Sequence, residues 1–127
     1  MKLKRLPDSE LDIMLIIWDA GKPVNRSYIE SKINEKKNLA STTILSLLSR
    51  LTEKGFVHCE KEGKNNIYSP LVKEDDYIQN EGKSILEKLY GNSLKNFVAA
   101  LYDGKKVNDN ELEELRKFLD KTKEEHQ

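Results

Sequence analysis

Apolar residues recur every three or four positions in three segments of the first fifty-five residues. That spacing places them on one face of a helix, so each segment predicts an amphipathic helix. The first helix begins at Asp8 or Ser9, and Gly21 ends it. Ser9 and Asp12 have the spacing of a capping box, and Asn25 caps the second helix. The second helix runs to about residue 35, and the third from about residue 41 to 54. The apolar positions are Leu11, Met14, Leu15 and Trp18 in the first helix, Tyr28, Ile29 and Ile33 in the second, and Ile44, Leu47, Leu48 and Leu51 in the third.

Beyond Gly55 the helical spacing gives way to two short segments typical of β-strands. Residues 56–61 and 66–71 are the predicted strands, and residues 62–65, Glu-Gly-Lys-Asn, have the composition of a hairpin turn. Three helices followed by a hairpin is the order of elements in a winged helix-turn-helix. Residues 1–72 are therefore predicted to form a winged-helix domain.

Helical spacing returns after Lys73 and continues almost to the end of the chain. Three helices are predicted, over about residues 74–90, between the breaks at Gly91-Asn92 and Asp103-Gly104, and over about residues 109–123. The predicted fold class is therefore mostly α with a small β-hairpin. It consists of a winged helix-turn-helix followed by an all-helical region, residues 73–127.

The helical region carries more apolar surface than its size can bury. About fifty-four residues are too few to form a stable core alone, and exposed apolar stripes favour aggregation. A second copy of the chain would cover these stripes, so residues 73–127 are predicted to be a dimerisation domain. Packing against the N-terminal domain is the alternative. The residues predicted to make the dimer contact are Ile85, Leu89, Phe97, Leu101, Leu112, Leu115, Phe118 and Leu119.

The 127 residues have a formal net charge of zero, but the charge is unevenly distributed. Residues 1–73 contain thirteen Lys/Arg and nine Asp/Glu, a net charge of +4, and the remainder contains nine and thirteen, a net charge of −4. The basic half is the part expected to bind nucleic acid. Within it, Lys2, Lys4 and Arg5 form either an arm that contacts phosphates or a disordered tail.

The outer face of the third helix is rich in small hydroxyl side chains, at Thr42, Ser46 and Ser49, with Arg50 at its edge. Small side chains let a helix approach the floor of the major groove, and an arginine can bond a guanine or a phosphate. The third helix is therefore predicted to be the recognition helix. A polar face that meets only solvent is the alternative. Lys64, in the predicted turn, supplies a cation for a wing that contacts DNA.

The sequence shows no pattern typical of an enzyme or a metal site. His58 and His126 lie far apart, and there is neither a Gly-rich phosphate loop nor a Cys/His ligand spacing, so no catalytic residue, metal or cofactor is expected. The single cysteine, Cys59, allows no intrachain disulfide and is predicted to be a half-buried strand residue. No apolar run reaches the length of a membrane span and no signal peptide is present, so a cytoplasmic protein is predicted.

Several short motifs occur in a specific order along nearly the whole chain. They are DSELDIM followed by IW within residues 8–18, TI at 43–44, LSRLTEKG at 48–55, EGK and YSP within 62–70, and DDY at 75–77. In this order and spacing they resemble the BlaI/MecI penicillinase-repressor family. The wing departs from the family pattern at Asn66, where an aromatic residue is usual, and at Lys64, where arginine is common.

The resemblance implies a transcriptional repressor that binds a pseudo-palindromic operator, often with TACA and TGTA half-sites, as a homodimer. It also implies that the third helix lies in the major groove of double-stranded operator DNA and that the helical region holds the dimer. The residues expected to contact DNA are Thr42, Thr43, Ser46 and Arg50 on the helix, with Lys64 and Asn65 on the wing.

The resemblance further suggests how the DNA is released. In the best-known family members, a membrane-bound sensor metalloprotease triggers cleavage in the C-terminal part. The Asn-Phe junction cleaved there falls on Ala100-Leu101 in this chain, so this pair marks the expected cleavage region. The inducing signal is not predicted. A winged-helix module that binds another protein, without a DNA function, is the alternative function.

Overall fold

The computed structural model describes residues 3–125 and contains six helices and three strands within that range. The predicted order of elements is confirmed: three helices, a hairpin, and then three further helices. The elements are α1 (Asp8–Ala20), β1 (Val24–Asn25), α2 (Arg26–Ile33), α3 (Ser41–Glu53), β2 (Val57–Glu62), β3 (Asn65–Pro70), α4 (Glu74–Tyr90), α5 (Leu94–Asp103) and α6 (Asp109–Glu125).

The residues that end α1 and begin α2 are those predicted from the sequence, but the predicted cap at the start of α1 is not formed. Gly21 ends α1 in the left-handed conformation, with φ of 67°, and the side chain of Asn25 accepts a hydrogen bond of 2.9 Å from the backbone N–H of Tyr28. The predicted Ser9–Asp12 capping box is wrong. Ser9 already lies inside the helix, which begins at Asp8 after Pro7 and has no side-chain cap.

The hairpin is part of a three-stranded antiparallel sheet with strand order β1-β3-β2. Glu62 pairs with Asn65, so Gly63 and Lys64 alone form the turn, and Gly63 has a φ of 64°. A positive φ at the first central residue is the geometry that a two-residue hairpin turn requires. The third strand, β1, was not predicted. It is two residues long, too short to show a period, and Val24 pairs with Tyr68 of β3.

The core lies between α1, α2, α3 and the sheet. Every buried apolar residue in the described range lies between Leu6 and Tyr77. The chain divides into two compact units, the first ending at Glu81 and the second beginning at Gly82. The division lies beyond the sequence-based boundary at 72/73, because Tyr77, in the first turn of α4, is buried in the N-terminal core.

The second unit has well-formed helices but no buried side chain in its described part. Ser93 caps α5 by accepting a hydrogen bond from the backbone N–H of Asn96. Asn108 and Glu111 form a reciprocal capping box at the start of α6, with hydrogen bonds of 2.9 and 3.2 Å. These local bonds fix the helix ends, whereas the apolar faces of the helices are left without a core.

None of the helices in residues 3–125 is both long and apolar enough to span a bilayer.

Candidate nucleic-acid interface

Helix α3 is anchored by one face and exposes the other. Its inner face consists of four buried side chains, those of Ile44, Leu47, Leu48 and Leu51. All four residues predicted to lie on its DNA-facing side are exposed. Three of them are spaced four residues apart and therefore form a stripe along the helix axis. In the order of the chain the four are Thr42, Thr43, Ser46 and Arg50.

Arg50 lies near the C-terminal end of this stripe, in the last turn of α3. Its side chain is exposed, and no ion pair joins it to any other residue between 3 and 125. A guanidinium that forms no ion pair keeps its donors available for an external acceptor. The side chain can therefore bond a base edge or a phosphate.

The wing lies beside α3. Lys64 and Asn65, both exposed, line a cleft of about 150 Å³ whose wall includes Leu45 of α3. The cleft thus brings two predicted wing residues next to the predicted recognition helix. The remaining lining residues are Asn25, Arg26, Ser27, Asn66 and Tyr68.

Arg26 and Ser27 are residues of this cleft that the sequence analysis missed. They are the first two residues of α2, and Arg26 lies 3.5 Å from Glu30 across one turn. Their position beside the wing depends on the pairing of β1 with β3, which the sequence did not predict. A cation immediately after the cap residue Asn25 was the available clue, because helix N-termini attract anions.

A second hollow shares Leu45 and Tyr68 with this cleft and is also lined by Ser49 and Glu53 of α3 and by Cys59 of β2. Burial, with a smaller contribution from Cys59, raises the pKa of the Tyr68 hydroxyl above its usual value. Cys59 is half-buried, as predicted, and is a free thiol.

The structure describes two of the three residues of the predicted basic arm, and one of these, Arg5, is already in an ion pair. Arg5 forms an ion pair with Glu81, with Nε and Oε1 3.0 Å apart, and this contact directs it towards α4. Lys4 is exposed, and Lys2 lies outside the described residues. Between residues 3 and 125, no group of three His, Cys, Asp or Glu side chains is placed to hold a metal ion.

The residues predicted to form a dimer contact all lie in the second unit, and none of them is fully buried. Leu89 is 71% exposed and Phe118 is 62% exposed, and Leu119 is also exposed. The others are half-buried and comprise Ile85, Phe97, Leu101, Leu112 and Leu115.

The predicted cleavage pair lies within a helix. Ala100 is exposed and Leu101 half-buried in the last turns of α5, and the carbonyl of Ala100 accepts a hydrogen bond of 3.1 Å from Gly104. The peptide bond between them is therefore held in helical geometry.

A recognition helix beside a wing with a cationic cleft defines the winged-helix unit of a transcriptional regulator. A model of the penicillinase repressor family matches residues 6–121, and the chain belongs to this family. The family predicted from the sequence, the winged-helix fold and the class of transcriptional repressor are thus confirmed.

Two relatives and one solved structure illustrate the similarity. A penicillinase repressor of Staphylococcus aureus is 35% identical over 111 residues, which is 87% of each chain. The methicillin resistance regulatory protein MecI of Staphylococcus aureus is 30% identical over 120 residues, 94% of this chain and 97% of that protein. The solution structure of monomeric BlaI from Bacillus licheniformis in complex with the blaP half-operator has a TM-score of 0.51 at 30% identity, covering 60% of this chain and 92% of that chain.

Proposed function

We propose that this chain is a cytoplasmic repressor that binds a pseudo-palindromic operator as a homodimer, with α3 in the major groove. The observation that carries the proposal is the exposed stripe of α3, in which small hydroxyl side chains are followed by Arg50, a residue that forms no ion pair within residues 3–125. Small side chains permit close approach to base edges, and the arginine supplies a bidentate donor. The solved structure of BlaI from Bacillus licheniformis, to which this chain is similar, contains the BlaI monomer in complex with the blaP half-operator.

The cleft between α2 and the wing supports contacts with the DNA backbone. Arg26 and Lys64 are its two cations, and both side chains are exposed. Each lies within reach of the DNA backbone when α3 occupies the groove, because winged helices place the wing alongside the duplex. We assign these two residues to phosphate contacts, which position the protein but carry no sequence information.

A homodimer explains the exposed apolar surface of the second unit. Five large apolar side chains there are exposed, and no side chain in its described part is buried. Burying one such side chain stabilises an interface by about 1.5–3 kcal/mol. A two-fold dimer would also match a palindromic operator, since two half-sites then bind one assembly.

Release by proteolysis is the proposed switch, with a membrane-bound sensor protease as the proposed partner. Cutting the helical region would separate the two half-site contacts without changing α3, and the gain in affinity from linkage, about 10²–10⁴-fold, would be lost. Because Ala100 and Leu101 lie within α5, the end of this helix must unwind before a protease can bind the pair.

The test is fluorescence anisotropy of a labelled duplex with TACA and TGTA half-sites, compared with a scrambled duplex. The native chain is expected to prefer the operator duplex, and Arg50→Ala to weaken operator binding by about tenfold or more, the value of one bidentate base contact. Arg116→Ala, which removes an exposed arginine from α6 instead, is the matched control and should bind as the native chain does.

The alternative function, a protein-binding module, gives a different result. Both duplexes would then bind equally weakly, and the affinity would change little with salt concentration. Operator binding through several phosphates instead predicts a steep loss with salt, with a slope near −0.9 for each phosphate neutralised.

A further inference from the structure

Glu10 is the only buried charged residue in the part of the chain between residues 3 and 125. It is 2% exposed, and its Oε1 atom lies 2.6 Å from the Nζ atom of Lys54. Glu10 belongs to the first turn of α1, whereas Lys54 is the C-cap residue of α3. One ion pair therefore joins the start of the first helix to the end of the recognition helix.

The two charges also match the helices that carry them. A carboxylate in a first turn and an ammonium at a C-terminus both interact favourably with the helix dipoles. Burying the Glu10 carboxylate costs solvation free energy that its attraction to the partly exposed Lys54 ammonium barely recovers, so the pair adds little net stability. It does penalise any arrangement in which the two groups separate, since the Glu10 carboxylate would then remain buried without a partner.

Lys54 is hydrogen-bonded through its backbone to Arg50, the residue of α3 that we expect to contact a base. Its backbone N–H donates a hydrogen bond of 3.0 Å to the carbonyl of Arg50, one helical turn earlier. Beyond it, Gly55 turns the chain with a φ of 80°, and Phe56 enters the core. Fixing the ammonium of Lys54 therefore fixes the helical turn that presents Arg50.

We propose that Glu10 and Lys54 are positioning residues for operator recognition: their ion pair sets the orientation of α3 and so the placement of Arg50 on the base edges. This inference rests on the proposed DNA function. Neither residue is assigned a contact with DNA. Loss of the pair is expected to reduce discrimination between sequences rather than attraction to the phosphate backbone.

The experiment measures the ratio of affinities for the operator duplex and the scrambled duplex, together with the salt slope. The variants are Glu10→Gln, Lys54→Met and the double variant, each measured at a temperature where circular dichroism shows it folded. A variant that is only less stable has a smaller folded fraction, which lowers both affinities equally and leaves the ratio unchanged. Asp12→Asn is the matched control, because it removes another α1 carboxylate, one whose ion pair with Lys37 is exposed.

Both single variants are expected to lower the affinity ratio about tenfold, the scale of one base contact, with the salt slope unchanged. The double variant should lose no more than either single variant, since the pair acts as a unit. Asp12→Asn should keep the native ratio.

Three results would overturn the proposal. An unchanged ratio in both single variants would show that the pair only supports the fold. An equal loss on both duplexes for Lys54→Met alone, with a salt slope reduced by about one, would make Lys54 a phosphate contact. A native chain that does not distinguish the duplexes would overturn the proposed function itself, and the positioning role with it.

Discussion

The hydroxyl oxygen of Tyr77 accepts a hydrogen bond of 3.0 Å from the backbone N–H of Leu6, seventy-one residues earlier in the chain. Both residues are buried. The ring of Tyr77 also packs against Trp18 and Phe56, with centroid distances of 5.8 Å in each case. The first turn of α4 is thus built into the core of the winged helix, next to Phe56, which links α3 to the wing.

Replacing Tyr77 with phenylalanine should destabilise the protein although the ring is retained. The buried N–H of Leu6 would lose its acceptor, and an unpaired buried donor costs about 1–3 kcal/mol. Urea unfolding monitored by circular dichroism would show a lower midpoint with an unchanged slope. Tyr102→Phe is the control, because that hydroxyl bonds Asp109 at the surface and its loss should leave the midpoint unchanged. Equal midpoints for Tyr77→Phe and the native chain would contradict this role.

The first unit should fold alone only when the fragment includes Tyr77. A fragment of residues 1–81 contains the whole core, whereas residues 1–71 lack both Tyr77 and the carbonyl of Val72, which accepts a hydrogen bond of 2.9 Å from Trp18. Loss of a large buried aromatic side chain typically costs about 3–5 kcal/mol. We expect cooperative urea unfolding of the longer fragment and little or none of the shorter one.

The longer fragment also tests the role of the second unit. Residues 1–81 should bind the operator duplex more weakly than the full chain, by about 10²–10⁴-fold, because the two half-site contacts are no longer linked. Equal affinities of the fragment and the full chain would contradict a dimeric mechanism.

Introducing a charge into the exposed apolar surface of the second unit should prevent dimerisation. In Phe118→Glu or Leu89→Glu, the added carboxylate would be buried without a partner in the dimer. Sedimentation velocity should show a monomer at concentrations where the native chain is a dimer. Leu71→Glu is the control, since Leu71 is 61% exposed but lies in the first unit, and this variant should dimerise normally. Normal dimers of both second-unit variants would refute the proposed contact.

Stability should decrease at high pH because of Tyr68. Burial raises the pKa of its hydroxyl above the ordinary value of 10.0, so the folded state retains a proton that the unfolded state has already lost. The stabilisation is therefore complete below pH 10 and is lost as the pH rises through the folded-state pKa. Unfolding free energies measured across this range should fall less steeply in Tyr68→Phe than in the native chain. Parallel curves would show that other groups cause the decrease.

The elements that the sequence predicted correctly are those with local causes. Helix α3 follows from the spacing of Ile44, Leu47, Leu48 and Leu51, and the hairpin follows from a turn at Gly63 whose φ suits glycine. The exposed stripe that ends at Arg50 follows from the same helical period. Each of these depends on residues within about one or two turns, so the linear pattern contains the information.

Other features depend on contacts between distant parts of the chain and were settled only by the tertiary structure. Strand β1 exists because Val24 meets Tyr68, and the same pairing brings Arg26 beside the wing. The core extends to Tyr77 because Leu6 and Phe56 lie where its hydroxyl and ring can reach them. Neither contact produces a periodic pattern of apolar residues, so the sequence alone could not predict it.

The sequence by itself determined the helices, the hairpin, the exposed polar face of α3 and the family. Only the tertiary structure decided where the first unit ends and which charges meet. Glu10 and Lys54 resemble ordinary surface residues in the sequence, yet packing of α1 against α3 removes the carboxylate from water and pairs it with Lys54. The physical reason is that desolvation and pairing are set by the whole fold, whereas helical and turn preferences are set by neighbouring residues.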